Sequence, residues 1–346
     1  MRDEHEEFSI FRNFTMTFKQ NWEKADTHHT IPADLVKGIV NFVYPSQKLI
    51  SQKIISGGCA NLNIKICLEG DETPRLVRLY LRDKEAAYRE QALGDLLKKM
   101  IPLPEISYVG DYAGYRFAIA NFMEGITLRD LLLSKEPHNV DTIMYDVGKL
   151  LGRISHCTFP KAGFFGNNLT VIPPFFSKKL LTTFVKKWLQ DAPVISQLSP
   201  ETRSKIEFYF DFYAPFLPDK NEKSLVHGDF DPANILVRQV KDTWTITGIL
   251  DWEFAFSGSP LWDLSNMLRY AHEMPSSFET AFLRGLKKEN IFLPPHWRIT
   301  TYLLTLSSLL SLLARTNPKK SPIQCTDIKN LIEFYLNCLD LSKGKL

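Results

Sequence analysis

The sequence has little of what marks several classes of protein. Its five cysteines are odd in number and never form a CxxC pair, which argues against a disulfide framework or a structural zinc site and is typical of a reducing compartment. The formal net charge is only +3, too small and too dispersed an excess to indicate a nucleic-acid-binding protein. No internal repeat or low-complexity tract interrupts the chain. We therefore expect a cytoplasmic globular protein with no nucleic-acid partner.

Long apolar runs are also missing. The longest, residues 302–314, is interrupted by one threonine and three serines, and it is shorter than the ~20 residues that span a bilayer. The first fourteen residues carry four acidic side chains and no apolar core, which is not the pattern of a secretory signal. The sequence thus predicts a buried helix at 302–314 and no membrane partner.

The order of the hydrophobic patterns predicts an α+β protein with two lobes. Helical patterns cover much of residues 8–42, 84–100, 127–134, 141–157, 175–216 and the part from about 255 to 341, and strand patterns cover 48–56, 63–69, 76–81, 106–112, 115–122, 224–227 and 243–250. The first third is therefore mostly β and the remainder mostly helical. We place an N-terminal helical extension at 1–45, a β-rich N-lobe that binds nucleotide at 46–123, and a mostly helical C-lobe at 124–346.

Three polar residues follow apolar strands and match the needs of phosphoryl transfer. Asp229 comes just after strand 224–227, Asn234 lies five residues further, and Asp251 follows the next predicted strand. Transfer to a hydroxyl requires a carboxylate to accept or orient the proton, and oxygen ligands to hold Mg²⁺ against the phosphates. Asp229 is the candidate base, and Asn234 and Asp251 offer the hard oxygens that Mg²⁺ prefers. The alternative is a hairpin whose Asp and Asn residues only make turns, and the joint occurrence of all three favours catalysis.

These residues lie in motifs that resemble those of the aminoglycoside phosphotransferase and choline kinase group, relatives of the protein kinases. Residues 227–234, HGDFDPAN, are similar to the catalytic loop HGDxxxxN of that group. Residues 250–253, LDWE, are similar to its metal-binding (I/L)DWE, and residues 258–264, GSPLWDL, to the GxPxxDL that follows it. The resemblance covers roughly residues 50–315 and implies a protein-kinase-like two-lobed fold, with the acceptor bound between the catalytic loop and the C-terminal helices.

The resemblance also assigns two nucleotide-binding segments to the N-lobe. The residues of a phosphate-covering loop would be Ser56, Gly57, Gly58 and Asn61. The residues of a hinge whose backbone binds adenine would be Asn121, Phe122 and Met123. Taken alone, a Gly-Gly turn is more often structural, and Phe122 and Met123 are also ordinary core candidates.

A cation for the α- and β-phosphates is implied at Arg78, where protein kinases have a lysine. Arginine keeps the charge and adds a bidentate fork. Arg82 and Lys84 compete for this role, and Arg82 would share a strand face with Arg78. Glu90, on the helix that follows, would pair with Arg78, or else be a solvated helix glutamate.

Three further residues of the motifs have structural alternatives. His227 is interpreted as a brace of the catalytic loop in preference to a catalytic residue. Glu253 would either join the metal shell through water or anchor its loop. Asp263 is expected to cap the N-terminus of a helix and to brace the catalytic loop.

The resemblance implies an ATP- and Mg²⁺-dependent kinase that phosphorylates a hydroxyl of a small metabolite, sugar, amino-acid derivative or antibiotic. A catalytically inactive nucleotide-binding pseudokinase or regulatory module is the alternative, and the lack of HRD, DFG and APE-like segments disfavours a protein kinase. Residues 255–346 contain seven acidic and eleven basic side chains, which favours a neutral or anionic acceptor over a polycation. The sequence leaves GTP in place of ATP, and the oligomeric state, open.

Overall fold

The computed structural model describes residues 18–19, 21–23, 31–32, 34–55 and 61–343. The predicted phosphate-loop residues Ser56, Gly57 and Gly58, and most of the predicted N-terminal helical extension, lie outside the described residues.

The first third of the chain, as far as it is described, forms an antiparallel sheet flanked by two helices. Its strands are β1 (Leu49–Ile55), β2 (Asn61–Leu68), β3 (Arg75–Tyr80), β4 (Ile106–Tyr112) and β5 (Tyr115–Asn121), in the order β1-β2-β3-β5-β4. The helices are α1 (Leu35–Val43) and α2 (Ala86–Leu97). All five strands and α2 were predicted from the sequence, with ends that differ by a few residues. The helix predicted before the sheet is confirmed at α1.

Alternation along β3 separates the core of this sheet from the site. Val77 and Leu79 are fully buried in an apolar cluster with α1, whereas Tyr80 packs with the start of α2 in a different cluster. Because successive side chains of a strand point to opposite faces, Arg78 shares the face of Tyr80. This face carries the ion pairs described below.

The rest of the described chain, from α3 onward, is mainly helical. Its helices are α3 (Leu128–Leu132), α4 (Val140–Ser155), α5 (Lys178–Gln190), α6 (Ala192–Ile195), α7 (Pro200–Phe212), α8 (Leu261–Met267), α9 (Ser276–Lys288), α10 (Trp297–Arg315) and α11 (Pro322–Ser342). The predicted helix at 302–314 lies within α10. By length and apolar composition α10 alone among the described helices could cross a membrane, but 61% of its apolar stretch is buried inside the protein, as in a core helix.

Two small sheets in this part of the chain were largely missed by the sequence analysis. One has the order β11-β10-β6, from β6 (Ile126–Thr127), β10 (Ile235–Val240) and β11 (Thr243–Ile249). The other has the order β8-β7-β12-β9, from β7 (Gly163–Phe165), β8 (Val171–Phe175), β9 (Ser224–Val226) and β12 (Phe256–Gly258). Only β9 and β11 were predicted, because strands of two to six residues leave little alternation to recognise.

Candidate active site

The loop after β9 is held by one buried carboxylate, that of Asp263. The backbone N–H of His227 donates to Asp263 Oδ2 at 2.7 Å, and that of Gly228 donates to Oδ1 at 2.9 Å. Burial raises the pKa of Asp263 to about 7. The predicted bracing of the catalytic loop is thus confirmed. The predicted helix cap is wrong, because Pro260 is the N-cap of α8 and both Asp263 oxygens accept from the loop.

Both ring nitrogens of His227 form hydrogen bonds with backbone groups. Nε2 lies 2.8 Å from the carbonyl oxygen of Leu250, and Nδ1 accepts from the N–H of Asp229 at 3.2 Å. The Leu250 carbonyl can only accept, so Nε2 carries the proton and Nδ1 does not. Burial lowers the pKa of His227, which favours this neutral form. These contacts are those of the predicted brace.

Asp229 and Asn234 are brought into direct contact. Asn234 Nδ2 donates to the carbonyl oxygen and to Oδ2 of Asp229, both at 2.9 Å. Burial works to raise the pKa of Asp229, but the positive charges of Lys19 and Arg269 and the hydrogen bond from Asn234 outweigh it and hold the pKa below its ordinary value. Asp229 is therefore a carboxylate at neutral pH. With the amide nitrogen of Asn234 so engaged, its Oδ1 faces away from these bonds.

A backbone hydrogen bond places Asp251 beside Asp229 and Asn234. The N–H of Leu250 donates to the carbonyl oxygen of Asn234 at 2.8 Å, and the next residue, Asp251, adopts the left-handed conformation (φ 67°, ψ 55°). That conformation is uncommon for a residue other than glycine and often occurs at functional sites. The loop after β9 and the turn after β11 therefore form one site.

Arg78 connects the sheet to Asp251. Its Nη2 lies 2.6 Å from Asp251 Oδ1 and 3.2 Å from Glu90 Oε1, so the predicted pairing of Arg78 with Glu90 is confirmed. Tyr80 adds a 2.6 Å hydrogen bond to Glu90 Oε2. Burial raises the pKa of Glu90 to about 7 although the charge of Arg78 opposes it. Burial works against the charge of Arg78, but Glu90 and Asp251 hold its pKa above the ordinary value.

Neither competitor for the cation role has a described contact with Asp251. Arg82 follows the end of β3, so it does not share a strand face with Arg78, and its Nη2 is 3.7 Å from Glu253 Oε1. Lys84 donates to the carbonyl oxygen of Gly114 at 3.0 Å. Asn61, predicted to lie in the phosphate loop, begins β2 and donates to Glu253 Oε2 at 2.8 Å. Glu253 therefore anchors the turn after β11 to the sheet.

The predicted hinge follows β5 directly. Asn121 N–H donates to the carbonyl oxygen of Glu105 and Asn121 Oδ1 accepts from Glu105 N–H, while Phe122 N–H donates to the carbonyl oxygen of Pro74. The ring of Phe122 lies under Lys65 Nζ at 4.3 Å. Within residues 61–343, no protein hydrogen bond engages the backbone of Met123. Both backbone groups of Met123 and the carbonyl oxygen of Phe122 are therefore available to pair with a ligand.

The donor set at this site fits Mg²⁺ better than a transition metal. Among the described residues, no group of three or more His, Cys, Asp or Glu side chains could hold a metal ion. Asn234 Oδ1 and Asp251 Oδ2 are hard oxygens left over from the hydrogen bonds above. Mg²⁺ is commonly held by one or two carboxylates, water and the phosphates of its nucleotide.

One residue that contacts the candidate base was missed. Lys19 Nζ lies 3.4 Å from Asp229 Oδ1 and 2.9 Å from Asp231 Oδ2. Lys19 belongs to no motif and is 210 residues from Asp229 in the chain. No local pattern in the sequence could have identified it.

Comparison with known proteins identifies the family. A family model described as the phosphotransferase enzyme family matches residues 51–299. This match covers well over half of the chain, so the chain belongs to the phosphotransferase enzyme family, as the motifs predicted. Membership supports a phosphotransferase enzyme.

Individual relatives are distant. The acyl-CoA dehydrogenase family member 11 of Pongo abelii is 26% identical over 174 residues, which are 48% of this chain and 20% of that protein. The chain thus spans about a fifth of the length of this curated relative.

Solved structures share the fold. A thermostable mutant of aminoglycoside phosphotransferase APH(4)-Ia, in a ternary complex with AMP-PNP and hygromycin B, is 16% identical with a TM-score of 0.63, covering 87% of this chain and 98% of that one. The apoenzyme of macrolide 2'-phosphotransferase MphH from Brachybacterium faecium is 14% identical with a TM-score of 0.59, covering 86% and 98%. The predicted kinase-like α+β fold is confirmed by these likenesses.

Proposed function

We propose that this chain is a small-molecule kinase that transfers the γ-phosphate of ATP to a hydroxyl group with the help of Mg²⁺. The observation that carries the proposal is one connected set of contacts. The Asn234 side chain donates a hydrogen bond to Asp229, and the Asn234 carbonyl oxygen accepts one from the N–H of Leu250, the residue before Asp251. Asp251 in turn forms an ion pair with Arg78. A candidate base, two candidate metal ligands and a candidate phosphate cation therefore form one site, on two loops and a strand.

Each residue has a role that follows from its surroundings. The Asp229 carboxylate orients the acceptor hydroxyl and takes its proton as the hydroxyl oxygen bonds to the γ-phosphorus and the bond to the ADP oxygen breaks. Asn234 Oδ1 and Asp251 hold Mg²⁺, which when bound offsets the phosphate charge. Arg78 holds the α- and β-phosphates, and Glu90 keeps its guanidinium in place. The backbone of Met123 pairs with adenine.

The acceptor is proposed to be a sugar, an amino-acid derivative or another metabolite with a free hydroxyl. Antibiotics remain candidates, since solved relatives in fold are described as complexes with hygromycin B, gentamicin and spectinomycin. The excess of basic over acidic side chains in residues 255–346 favours a neutral or anionic compound.

The test measures transfer and binding separately. ADP release and phosphoryl gain by the acceptor are followed with Mg²⁺·ATP over a panel of sugars, hydroxy acids and aminoglycosides. We expect Asp229→Asn to lower kcat by about 10²- to 10⁴-fold with little change in nucleotide affinity. Asp251→Asn should also weaken Mg²⁺-dependent nucleotide binding. Asp242→Asn, in the exposed turn between β10 and β11, is the matched control.

Two outcomes would contradict parts of the proposal. Nucleotide binding without turnover in wild type would favour the pseudokinase alternative. Unchanged Mg²⁺ dependence in Asp251→Asn would remove Asp251 from the metal site.

A further inference from the structure

A short segment before the sheet is fastened across the C-terminal half of the chain. We call residues 18–19 and 21–23 the N-terminal strap. Its Phe18 is fully buried, with ring centroids 5.0 Å from Tyr270 and 6.3 Å from Phe278. This burial anchors the strap beside α9 and the residues that follow α8.

The other end of the strap is held at the start of α11. Trp22 Nε1 donates to Asp327 Oδ2 at 2.8 Å. The Glu23 carboxylate accepts from the N–H groups of Ile323 (2.7 Å) and Gln324 (3.1 Å). These are first-turn donors of a helix, where a negative charge is favourable. Anchors on both sides therefore fix the position of the residue between them, Lys19.

Lys19 bridges two carboxylates of the catalytic loop. Its side chain is only 16% exposed, and the side chain of Asp231, 2.9 Å from Nζ, is 1% exposed. Asp229, at 3.4 Å, is 33% exposed. The Coulomb attraction within an ion pair so shielded from water is stronger than in a surface pair, and removal of Lys19 would leave the buried Asp231 carboxylate uncompensated.

Two further positive charges interact with the Asp229 carboxylate. Arg269, fully buried in the residues after α8, lowers the pKa of Asp229. Arg315, the exposed last residue of α10, also interacts with Asp229: partial desolvation and the charge of Arg82 lower the pKa of Arg315, whereas the Asp229 charge works to raise it. Lys19 is the cation in direct contact with Asp229, where the acceptor hydroxyl must arrive.

We propose that Lys19 is a specificity-determining residue that discriminates against polycationic acceptors. A polycation gains affinity from carboxylates that line its site, but here the Lys19 ammonium already occupies the two carboxylates at the transfer point. A cationic acceptor would have to displace Lys19 or meet it as a like charge, whereas a neutral or anionic acceptor would not. This inference rests on the proposed function, because it locates the acceptor at Asp229.

The test uses equilibrium binding, which does not depend on turnover. Kanamycin, a polycation, is titrated calorimetrically into the full-length protein without nucleotide. We expect Lys19→Met to bind kanamycin at least tenfold more tightly than wild type. Lys19→Arg, which keeps the charge, should bind like wild type, and so should Lys99→Met, which removes an exposed lysine just after α2.

Several results would overturn the inference. One is that Lys19→Met binds kanamycin no more tightly than wild type. Another is that Lys99→Met or Lys19→Arg gains as much kanamycin affinity over wild type as Lys19→Met does. Thermal melts check that each variant is folded; if Lys19→Met is not, Lys19→Gln, which is polar but uncharged, replaces it under the same criteria. A wild-type protein that releases no ADP with any acceptor would contradict the proposed function but not the binding result.

Discussion

Replacing Gly228 by alanine should damage the active site more than the same change at a glycine with the same backbone conformation elsewhere. Gly228 lies between the bracing His227 and the candidate base Asp229, with φ +84°. A Cβ built there would be 2.5 Å from the carbonyl oxygen of Phe254. Gly70, in the turn between β2 and β3, has the same φ of +84° and nothing within 4 Å of a built Cβ.

Both substitutions place a Cβ on a left-handed backbone, but only Gly228→Ala also creates a steric clash. The left-handed conformation costs a residue with a Cβ about 1–2 kcal/mol, which applies to both. At Gly228 the contact with Phe254 must also open by roughly half an ångström or more, and overpacking of this kind costs about 1–3 kcal/mol more. We therefore expect Gly228→Ala to lose about 2–5 kcal/mol of unfolding free energy and Gly70→Ala about 1–2 kcal/mol.

Activity should separate the variants further. Either of two backbone segments must move to relieve this contact. One is at Gly228, which is bonded to Asp229, and the other is at Phe254, three residues after Asp251. A misplacement of about 1 Å costs roughly 10²-fold in rate, so an opening of about half that size should lower kcat of Gly228→Ala by about tenfold or more while Gly70→Ala keeps its kcat. Urea denaturation and ADP release measure the two effects. If Gly228→Ala lost no more stability and no more activity than Gly70→Ala, the packing of the catalytic loop against Phe254 would not be as described.

Three further changes test the buried charges around the site. The folded pKa of Asp263 is raised to about 7, above its unfolded value, so the stability of wild type relative to Asp263→Asn should increase as the pH falls from about 7 to about 4 and stay constant above pH 7. Urea melts at several pH values measure this. Ser265→Ala, on the same helix, is the control, because its difference in stability from wild type should not change with pH. Arg78→Lys should raise the KM for ATP about tenfold, because the shorter reach of a single ammonium cannot keep the contacts of the guanidinium; an unchanged KM would remove Arg78 from the phosphate site. Tyr80→Phe leaves a buried oxygen of Glu90 without its donor and should cost about 1–3 kcal/mol in denaturant unfolding, a loss that a mere packing role of Tyr80 would not produce.

Local pattern was enough to predict most of the sheet and the motif residues of the site. The strands of the first sheet are six to eight residues long, and the turns between them carry Gly or Pro, so these extended runs and their boundaries were visible. The strands β6, β7 and β12 have two or three residues, and their pairing is decided by partners far along the chain. Asp263 was misassigned as a cap because its position near a helix start is a local feature, whereas its acceptance of two loop N–H groups is not.

Taken by itself, the sequence determined the family, the fold class and the chemistry of the candidate residues, because the side chains that phosphoryl transfer requires occur at short, specific spacings within residues 227–264. The family resemblance of its motifs also implied Glu90, on α2, as the partner of Arg78. Only the tertiary structure decided what faces the candidate base. Lys19 reaches Asp229 and Asp231 because Phe18, Trp22 and Glu23 are anchored on distant helices, and contacts between residues some 210 positions apart leave no periodic trace in the chain.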